Sequence, residues 1–223
     1  MLLAIDTSTQ WMGVALYNGE MVLGEMTWKT KRHHTVELAV SIETLLARCG
    51  VNVTDLDVLS IALGPGSFTS LRIGLAHVKG MSLALHIPVI GIPTLDILAA
   101  AQPKEDRRLV AVLSAGRRRL AYQYYSWKGK KGWVTDSDPL LATAEEMAES
   151  IKEPVLVAGE LTSEDRKILR QGLPEAELRK PADCLRRPAY LAAKAWVRYA
   201  KGDVDEVANL SPIYLHVANP IPD

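Results

Sequence analysis

The sequence has 223 residues, a formal net charge of zero, 48% hydrophobic residues and 23% charged residues. These are ordinary globular values, and the neutral charge argues against a stand-alone nucleic-acid-binding protein, which usually carries a basic surplus. The length suits one large domain or two small, closely packed lobes.

The cysteines and the N-terminal residues indicate a cytoplasmic protein. Cys49 and Cys184 are far apart, form no C-x-x-C motif and lie in no recognisable nucleophile motif. Such sparse cysteine usage is typical of a reduced compartment. The first residues carry no basic leader, and no apolar run approaches the ~18–20 residues of a membrane span. We therefore expect neither a signal peptide nor a membrane segment.

The first hundred residues predict three antiparallel strands, followed by alternating helices and strands. Asn18-Gly19 is a strong hairpin signal, and Gly50 is placed to end a helix. The predicted strands are 2–5, 11–17, 21–28, 58–63 and 88–91, and the predicted helices are 35–49, 69–85 and 94–101. This order combines an antiparallel meander with parallel β-α-β units.

The second half resembles a shorter echo of the first. A polar break at 102–106 suggests a boundary between an N-terminal lobe, 1–105, and a smaller C-terminal lobe, 106–223. Thr143 and Glu146 resemble the capping box of a short helix. The other predicted strands are 109–113, 120–127, 133–135 and 155–158, and the other predicted helices are 163–171 and 188–201. The last helix is a candidate to pack back on the first lobe.

The first candidate site follows the first buried strand. Asp6 is succeeded there by the hydroxyl residues Thr7, Ser8 and Thr9. Hydroxyls and turn amides can bind phosphate oxygens, and a carboxylate can orient metal-bound water. A simple polar turn between two strands explains the same residues. Taken alone, the turn is the favoured interpretation.

The second candidate site is the loop Gly64-Pro65-Gly66-Ser67-Phe68-Thr69. Gly64 and Gly66 permit backbone conformations closed to other residues, and the amides at the start of the next helix could receive an anion. No Gly-Lys-Ser/Thr follows, so this is not a Walker loop. A tight strand-to-helix connection is an equally good interpretation.

Two helices have apolar stripes that are wider than one buried face requires. The apolar side chains lie in 36–49 and 69–85 and include Leu38, Ile42, Leu45, Leu71, Leu75 and Val78. Wide stripes indicate burial on two sides, one against the sheet and one against a partner. Coverage by other parts of the same chain is the alternative.

His33, His34 and Glu37 are the residues whose spacing comes nearest to that of a metal site. His34 and Glu37 share a helix face, but a site needs three or four ligands. A solvated or capping histidine at a helix start is the favoured interpretation. We expect no metal and no cofactor.

Together these segments resemble the bacterial TsaB family, also called YeaZ. The residues that carry the resemblance are the Asp6 turn, the histidine-led helix, the Gly64–Thr69 loop, Leu71-Arg72-Ile73-Gly74, Lys79-Gly80 and a late Pro212-Ile213-Tyr214-Leu215. The likeness is dense over residues 2–95 and sparse beyond them.

The resemblance implies an α/β, two-lobed actin-like fold of the sugar-kinase and heat-shock-chaperone type, with a reduced second lobe. It implies a non-catalytic scaffold that pairs with a TsaD-type catalytic subunit and a TsaE-type ATPase to make threonylcarbamoyladenosine in tRNA. The family interface uses the first two helices, so Leu38, Ile42, Leu45, Leu71, Gly74, Leu75 and Val78 would face TsaD, or a second copy when the chain is alone. Contact with tRNA would be indirect. Asp6, Thr7, Ser8, Gly64, Gly66 and Ser67 would form a vestigial phosphate loop.

Some positions depart from the family pattern. The family usually has glycine, aspartate and arginine at the positions where this chain has Ser70, Ser114 and His216. Any role that the family assigns to those positions is therefore in doubt.

Other departures concern the chemistry of active relatives. Active enzymes of this fold need a glycine pair for adenosine, where this chain has Val157-Ala158-Gly159-Glu160. TsaD holds its metal with paired histidines, but His34 is followed four residues later by Leu38. These departures favour an accessory subunit over the alternative, a small ATPase, kinase or peptidase-like enzyme active on its own.

Overall fold

The first half of the chain contains one five-stranded sheet and three α-helices. In a computed structural model, which describes residues 1–31 and 33–215, the sheet has the strand order β3-β2-β1-β4-β5. Its elements are β1 Leu2–Asp6, β2 Trp11–Tyr17, β3 Val22–Lys29, α1 His34–Cys49, β4 Val58–Ala62, α2 Phe68–Leu85, β5 Val89–Ile92 and α3 Thr94–Ala100. Strand β1 is antiparallel to β2 and parallel to β4, as predicted.

The second half repeats this arrangement with shorter strands at the two edges of its sheet. Its elements are β6 Arg108–Ser114, β7 Leu120–Trp127, β8 Trp133–Thr135, β9 Leu140–Ala142, α4 Ala144–Ser150, β10 Val155–Gly159, α5 Ser163–Gly172, β11 Glu177–Leu178 and α6 Pro188–Tyr199. The strand order is β11-β10-β6-β7-β8, and β9 also pairs with β7. Strand β6 is antiparallel to β7 and parallel to β10, as β1 is to β2 and β4.

Local signals in the sequence account for several element ends. Gly50 ends α1 with a left-handed φ of 64°, a conformation that costs glycine little. Thr143 caps α4, because its hydroxyl accepts the Glu146 N–H while the Glu146 carboxylate accepts the Thr143 N–H. The predicted helix end and capping box are both confirmed.

Helices cover both faces of the first sheet. Helices α1 and α2 bury one face around Leu3, Ile5 and Leu16. Helix α6 covers the opposite face, where Leu191 and Ala195 meet Ala4 and Ala15. The last helix therefore lies on the first sheet, although it comes from the far end of the described chain.

Helix α3 belongs to the first half of the chain but packs on the second sheet. Its Leu95 and Leu98 are buried with Leu109 of β6 and Trp133 of β8. A boundary near residue 105 remains our proposal for dividing the chain. Helices α3 and α6 each pack on the sheet that lies on the other side of this boundary. None of the helices in the described ranges is long and apolar enough to cross a membrane. The departure at His216 lies outside the described residues.

Candidate functional site

Asp6 ends β1, and both of its carboxylate oxygens accept hydrogen bonds. Oδ1 accepts the Ser8 N–H at 2.8 Å, and Oδ2 accepts Nε of Arg186, also at 2.8 Å. The Asp6 and Arg186 side chains are 3% and 1% exposed. The carboxylate that suggested a metal or phosphate site is thus paired with a cation from its own chain.

Arg186 joins the two lobes. It lies in the segment before α6 and also donates to Glu160, which follows β10 of the second sheet. Its Nη2 donates to Thr9 Oγ1 at 3.1 Å and to the Trp11 carbonyl oxygen at 3.3 Å. Burial opposes its charge, but the charges of Asp6 and Glu160 and hydrogen bonds to them outweigh burial and raise the pKa of Arg186.

Hydrogen bonds hold the Gly64–Ser67 loop against the Asp6 turn. The Ser67 N–H donates to the Ser8 carbonyl oxygen at 2.7 Å. The Gly64 N–H donates to Thr94 Oγ1 at 2.8 Å, and that hydroxyl is also 2.8 Å from Ser8 Oγ. These are the bonds of a tight strand-to-helix connection, in which the Ser67 amide already has an acceptor.

Gly66 is required by the close approach of two backbones. A Cβ at this position would lie 2.2 Å from the Ser8 carbonyl oxygen, a distance that real Cβ atoms essentially never show. Because the obstacle is backbone, it cannot be relieved by rotating a side chain. The glycine therefore lets the start of α2 dock on the Asp6 turn.

A cavity of about 680 Å³ lies between the lobes. Its lining includes Thr9, Lys29, Ser70, Ser114 and Glu160. Within the described residues, Asp6 does not contribute to this lining, because it is 2% exposed and covered by the surrounding network. Several polar side chains line the cavity, but the carboxylate that would matter most for phosphate chemistry is not presented to it.

The seven residues expected at a partner interface are buried within the first lobe. Leu38, Ile42, Leu45, Leu71, Leu75 and Val78 are each 7% exposed or less, and Gly74 is also buried. Side chains packed this fully within their own lobe leave little surface for a partner, although Ile42 also lines a groove between α1 and α2. Which residues of the two helices contact a partner remains a proposal.

Other apolar residues of the same helices are exposed. Val36 and Val40 of α1 are 70% and 59% exposed, and Leu83 of α2 is 76% exposed. Between the helices lies a groove of about 510 Å³, whose lining includes Ala39 and His77. Burial lowers the pKa of His77. We call the exposed faces of α1 and α2 with this groove the α1–α2 surface.

The histidine-led start of α1 is a structural element. His34 is buried, and its Nε2 lies 2.8 Å from the Thr9 carbonyl oxygen. Glu37 accepts the indole N–H of Trp28 at 2.7 Å, and this bond lowers the pKa of Glu37. Over residues 1–31 and 33–215, no three His, Cys, Asp or Glu side chains are grouped to hold a metal ion.

Several curated proteins that resemble nearly the whole chain come from one family. TsaB of Bacillus subtilis, a tRNA threonylcarbamoyladenosine biosynthesis protein, is 30% identical over 220 residues, which cover 97% of this chain and 94% of that protein. The chain belongs to the TsaB family. A model described as TsaD, tRNA N6-adenosine threonylcarbamoyltransferase, also matches residues 22–163. Because the likeness to TsaB covers nearly the whole chain, we assign the chain to the TsaB family rather than to TsaD.

Solved structures show the fold. YeaZ from Pseudomonas aeruginosa aligns with a TM-score of 0.78 and 24% identity, over 96% of this chain and 99% of that one. The ADPNP-bound activator of the 2-hydroxyisocaproyl-CoA dehydratase from Clostridium difficile aligns with a TM-score of 0.50 and 10% identity, over 92% and 98%. The expected two-lobed actin-like fold with a reduced second lobe is confirmed.

Arg186 and the role of Glu160 were missed by sequence reasoning. Arg186 is 180 positions from Asp6, and the residues around it match no motif. The available signal was Asp6 itself, because a buried carboxylate needs a cation or several donors. Nothing in the sequence indicates which of its many arginines supplies that cation.

Proposed function

We propose that this chain is an accessory subunit that pairs with a TsaD-type catalytic subunit to make threonylcarbamoyladenosine in tRNA. The observation that carries the proposal is its near full-length likeness to B. subtilis TsaB, whose name gives that pathway. A TsaE-type ATPase joins the pair, and tRNA is reached through the complex. The chain works in the cytoplasm and forms a homodimer when its partner is absent.

The chain itself is non-catalytic in this proposal. Support comes from Asp6, whose carboxylate oxygens are engaged by Ser8 and Arg186 rather than turned toward the interlobe cavity. A phosphate or metal ion would have to displace a buried guanidinium to reach it. Breaking a buried ion pair in this way costs about 3–5 kcal/mol, which makes nucleotide chemistry at Asp6 unfavourable.

The α1–α2 surface is the proposed docking site for the partner. It combines bulky exposed side chains, Val36, Val40 and Leu83, with the apolar groove between the helices. Large exposed apolar side chains and apolar grooves are both features of protein interfaces. The core residues beneath them set the spacing of the helices, and two of them, Ile42 and Leu46, also line the groove.

Co-purification and reconstitution test the proposal. Tagged chain is expected to retain the TsaD-type protein of its own organism, and its addition is expected to raise threonylcarbamoyladenosine formation on tRNA. Calorimetry of the isolated chain with ATP and magnesium is expected to show no turnover. ATP turnover by the isolated chain that is lost in Asp6→Asn, with no retained partner, would instead support the enzyme alternative.

A further inference from the structure

The guanidinium of Arg186 is surrounded by oxygen atoms from both lobes. It donates to Asp6 Oδ2 at 2.8 Å, Thr9 Oγ1 at 3.1 Å, the Trp11 carbonyl oxygen at 3.3 Å and Glu160 Oε1. Asp6, Thr9 and Trp11 belong to the first lobe, whereas Glu160 follows β10 of the second. One side chain therefore bridges the two sheets.

These oxygens form a set that suits a hard divalent cation. Two carboxylates, one hydroxyl and one backbone carbonyl converge on a single positive group. The Asp6 and Glu160 side chains are only 3% and 12% exposed, and buried carboxylates require a cation or equivalent donors. Arg186 supplies that charge covalently, so it cannot dissociate as a bound ion can.

A second hydrogen bond links Glu160 to the first lobe. Thr9 Oγ1 donates to Glu160 Oε1 at 2.9 Å, and the Trp11 N–H donates to Thr9 Oγ1 at 3.1 Å. Glu160 thus receives donors from Arg186 and from the first lobe directly. Loss of the Arg186 charge would leave two carboxylates close together without a counter-ion.

We propose that Arg186 is a built-in cation that locks the two lobes in one relative arrangement. The lock makes this arrangement independent of metal or nucleotide binding, so that the chain presents a fixed shape. Arg186 is a positioning residue. The inference goes beyond the proposed function, because it concerns the isolated chain and requires no partner.

Removal of the guanidinium is the direct experiment. Arg186→Ala is expected to lower Tm, and millimolar Mg²⁺, Mn²⁺ or Ca²⁺ is expected to raise the Tm of the variant by about 5 °C or more, because the cation binds the vacated oxygens. The same ions leave the wild-type Tm unchanged, since both carboxylates are already paired.

Arg187→Ala is the matched control. Arg187 is the adjacent residue and also pairs with a carboxylate, that of Glu25, but its side chain is 53% exposed. Its removal leaves a single carboxylate, that of Glu25, which still accepts the Ala189 N–H, rather than two carboxylates that shared one guanidinium. Divalent cations are therefore expected to have no effect on the Tm of Arg187→Ala.

A second variant keeps the buried pair and tests the bridge. Glu160→Gln retains Asp6 and Arg186 but weakens the attachment to the second lobe. Hydrogen exchange is expected to rise about tenfold in segments 7–11 and 158–162, while the core of α1 exchanges as in wild type. This variant is the milder change and decides the matter if Arg186→Ala does not fold.

The outcomes are separable from those of the proposed function. Cation-dependent recovery of Arg186→Ala, or faster exchange on both sides of the cleft in Glu160→Gln, supports the lock. A folded Arg186→Ala that no divalent cation stabilises, or wild-type exchange in Glu160→Gln, overturns it. Pairing with TsaD is measured in a different assay and is unaffected by either result.

Discussion

Gly74 of α2 faces the hydroxyl of Thr7. A Cβ at Gly74 would lie 2.1 Å from Thr7 Oγ1, and that hydroxyl donates to the Ser70 carbonyl oxygen at 2.9 Å in a buried hydrogen bond. The absence of a side chain at one position thus lets α2 rest on the turn after β1. The contact fixes where the second helix begins relative to the first sheet.

Gly74→Ala is expected to destabilise the chain. The added methyl would force the Thr7 side chain to rotate, which breaks its hydrogen bond to the Ser70 carbonyl oxygen. The free energy of unfolding is therefore expected to fall by about 1–3 kcal/mol, relative to a glycine-to-alanine change in the same helix that causes no clash. Urea denaturation of the isolated chain measures this difference.

Gly80→Ala provides that comparison. Gly80 also lies within α2, but a Cβ there has no heavy atom within 4 Å. Alanine is the better helix former, so this variant is expected to gain about 0.5–1 kcal/mol. Equal effects of the two substitutions would show that the Thr7 contact is not a constraint.

Charged substitutions on the α1–α2 surface are expected to weaken partner binding. Val40→Glu and Leu83→Glu replace apolar side chains, 59% and 76% exposed, with carboxylates. Each is expected to raise the Kd for the TsaD-type partner at least about tenfold, or about 1.4 kcal/mol, with the Tm of the isolated chain unchanged. Calorimetric titration measures the affinity.

Val197→Glu is the control for these variants. Val197 is 56% exposed but lies on α6, which covers the opposite face of the first sheet. The affinity of the Val197→Glu variant for the partner is expected to match that of the wild-type chain. If all three variants bind equally well, the docking site lies elsewhere on the chain.

Acid is expected to destabilise the chain through His77. Burial lowers its pKa from the ordinary value of 6.5, so the unfolded chain binds a proton more readily than the folded chain does. Stability from neutral His77 is present above pH 6.5 and is lost as the pH falls through the folded pKa.

The urea midpoint of His77→Gln should therefore fall less than that of wild type between neutral and mildly acidic pH. His33→Gln is the control, since it removes an exposed histidine that immediately precedes α1. An identical pH dependence in wild type and His77→Gln would contradict the prediction.

The capping box of α4 is expected to contribute measurable stability. In Thr143→Ala, the Glu146 N–H loses its acceptor, and the free energy of unfolding falls by about 1 kcal/mol. Thr143→Ser keeps the hydroxyl and should retain most of that stability. Thermal unfolding of the two variants distinguishes loss of the cap from loss of a methyl group.

Local signals made much of the fold predictable. The Asn18-Gly19 hairpin, the Gly50 helix end and the capping box of Thr143 each depend on residues close in sequence. Strands β9 and β11 were missed because two or three residues carry no periodicity. They exist only because a neighbouring strand pairs with them.

The site was less predictable, because its key contacts are long-range. Asp6 was identified as a candidate, but its partner Arg186 lies 180 positions away in the sequence. On α1 and α2, helical spacing identified the apolar stripes, and those stripes pack on the sheet of the same chain. Periodicity marks the buried side of a helix, and Val40 and Leu83 lie outside it.

The exchange of α3 and α6 between the two sheets bears on how the chain is made. On the ribosome, the face of the first sheet that Leu191 and Ala195 cover stays open until α6 has emerged. An exposed apolar sheet face is prone to aggregation. Folding of the N-terminal half is therefore completed only after α6 has been made, and a nascent chain stalled before residue 188 should depend on chaperones.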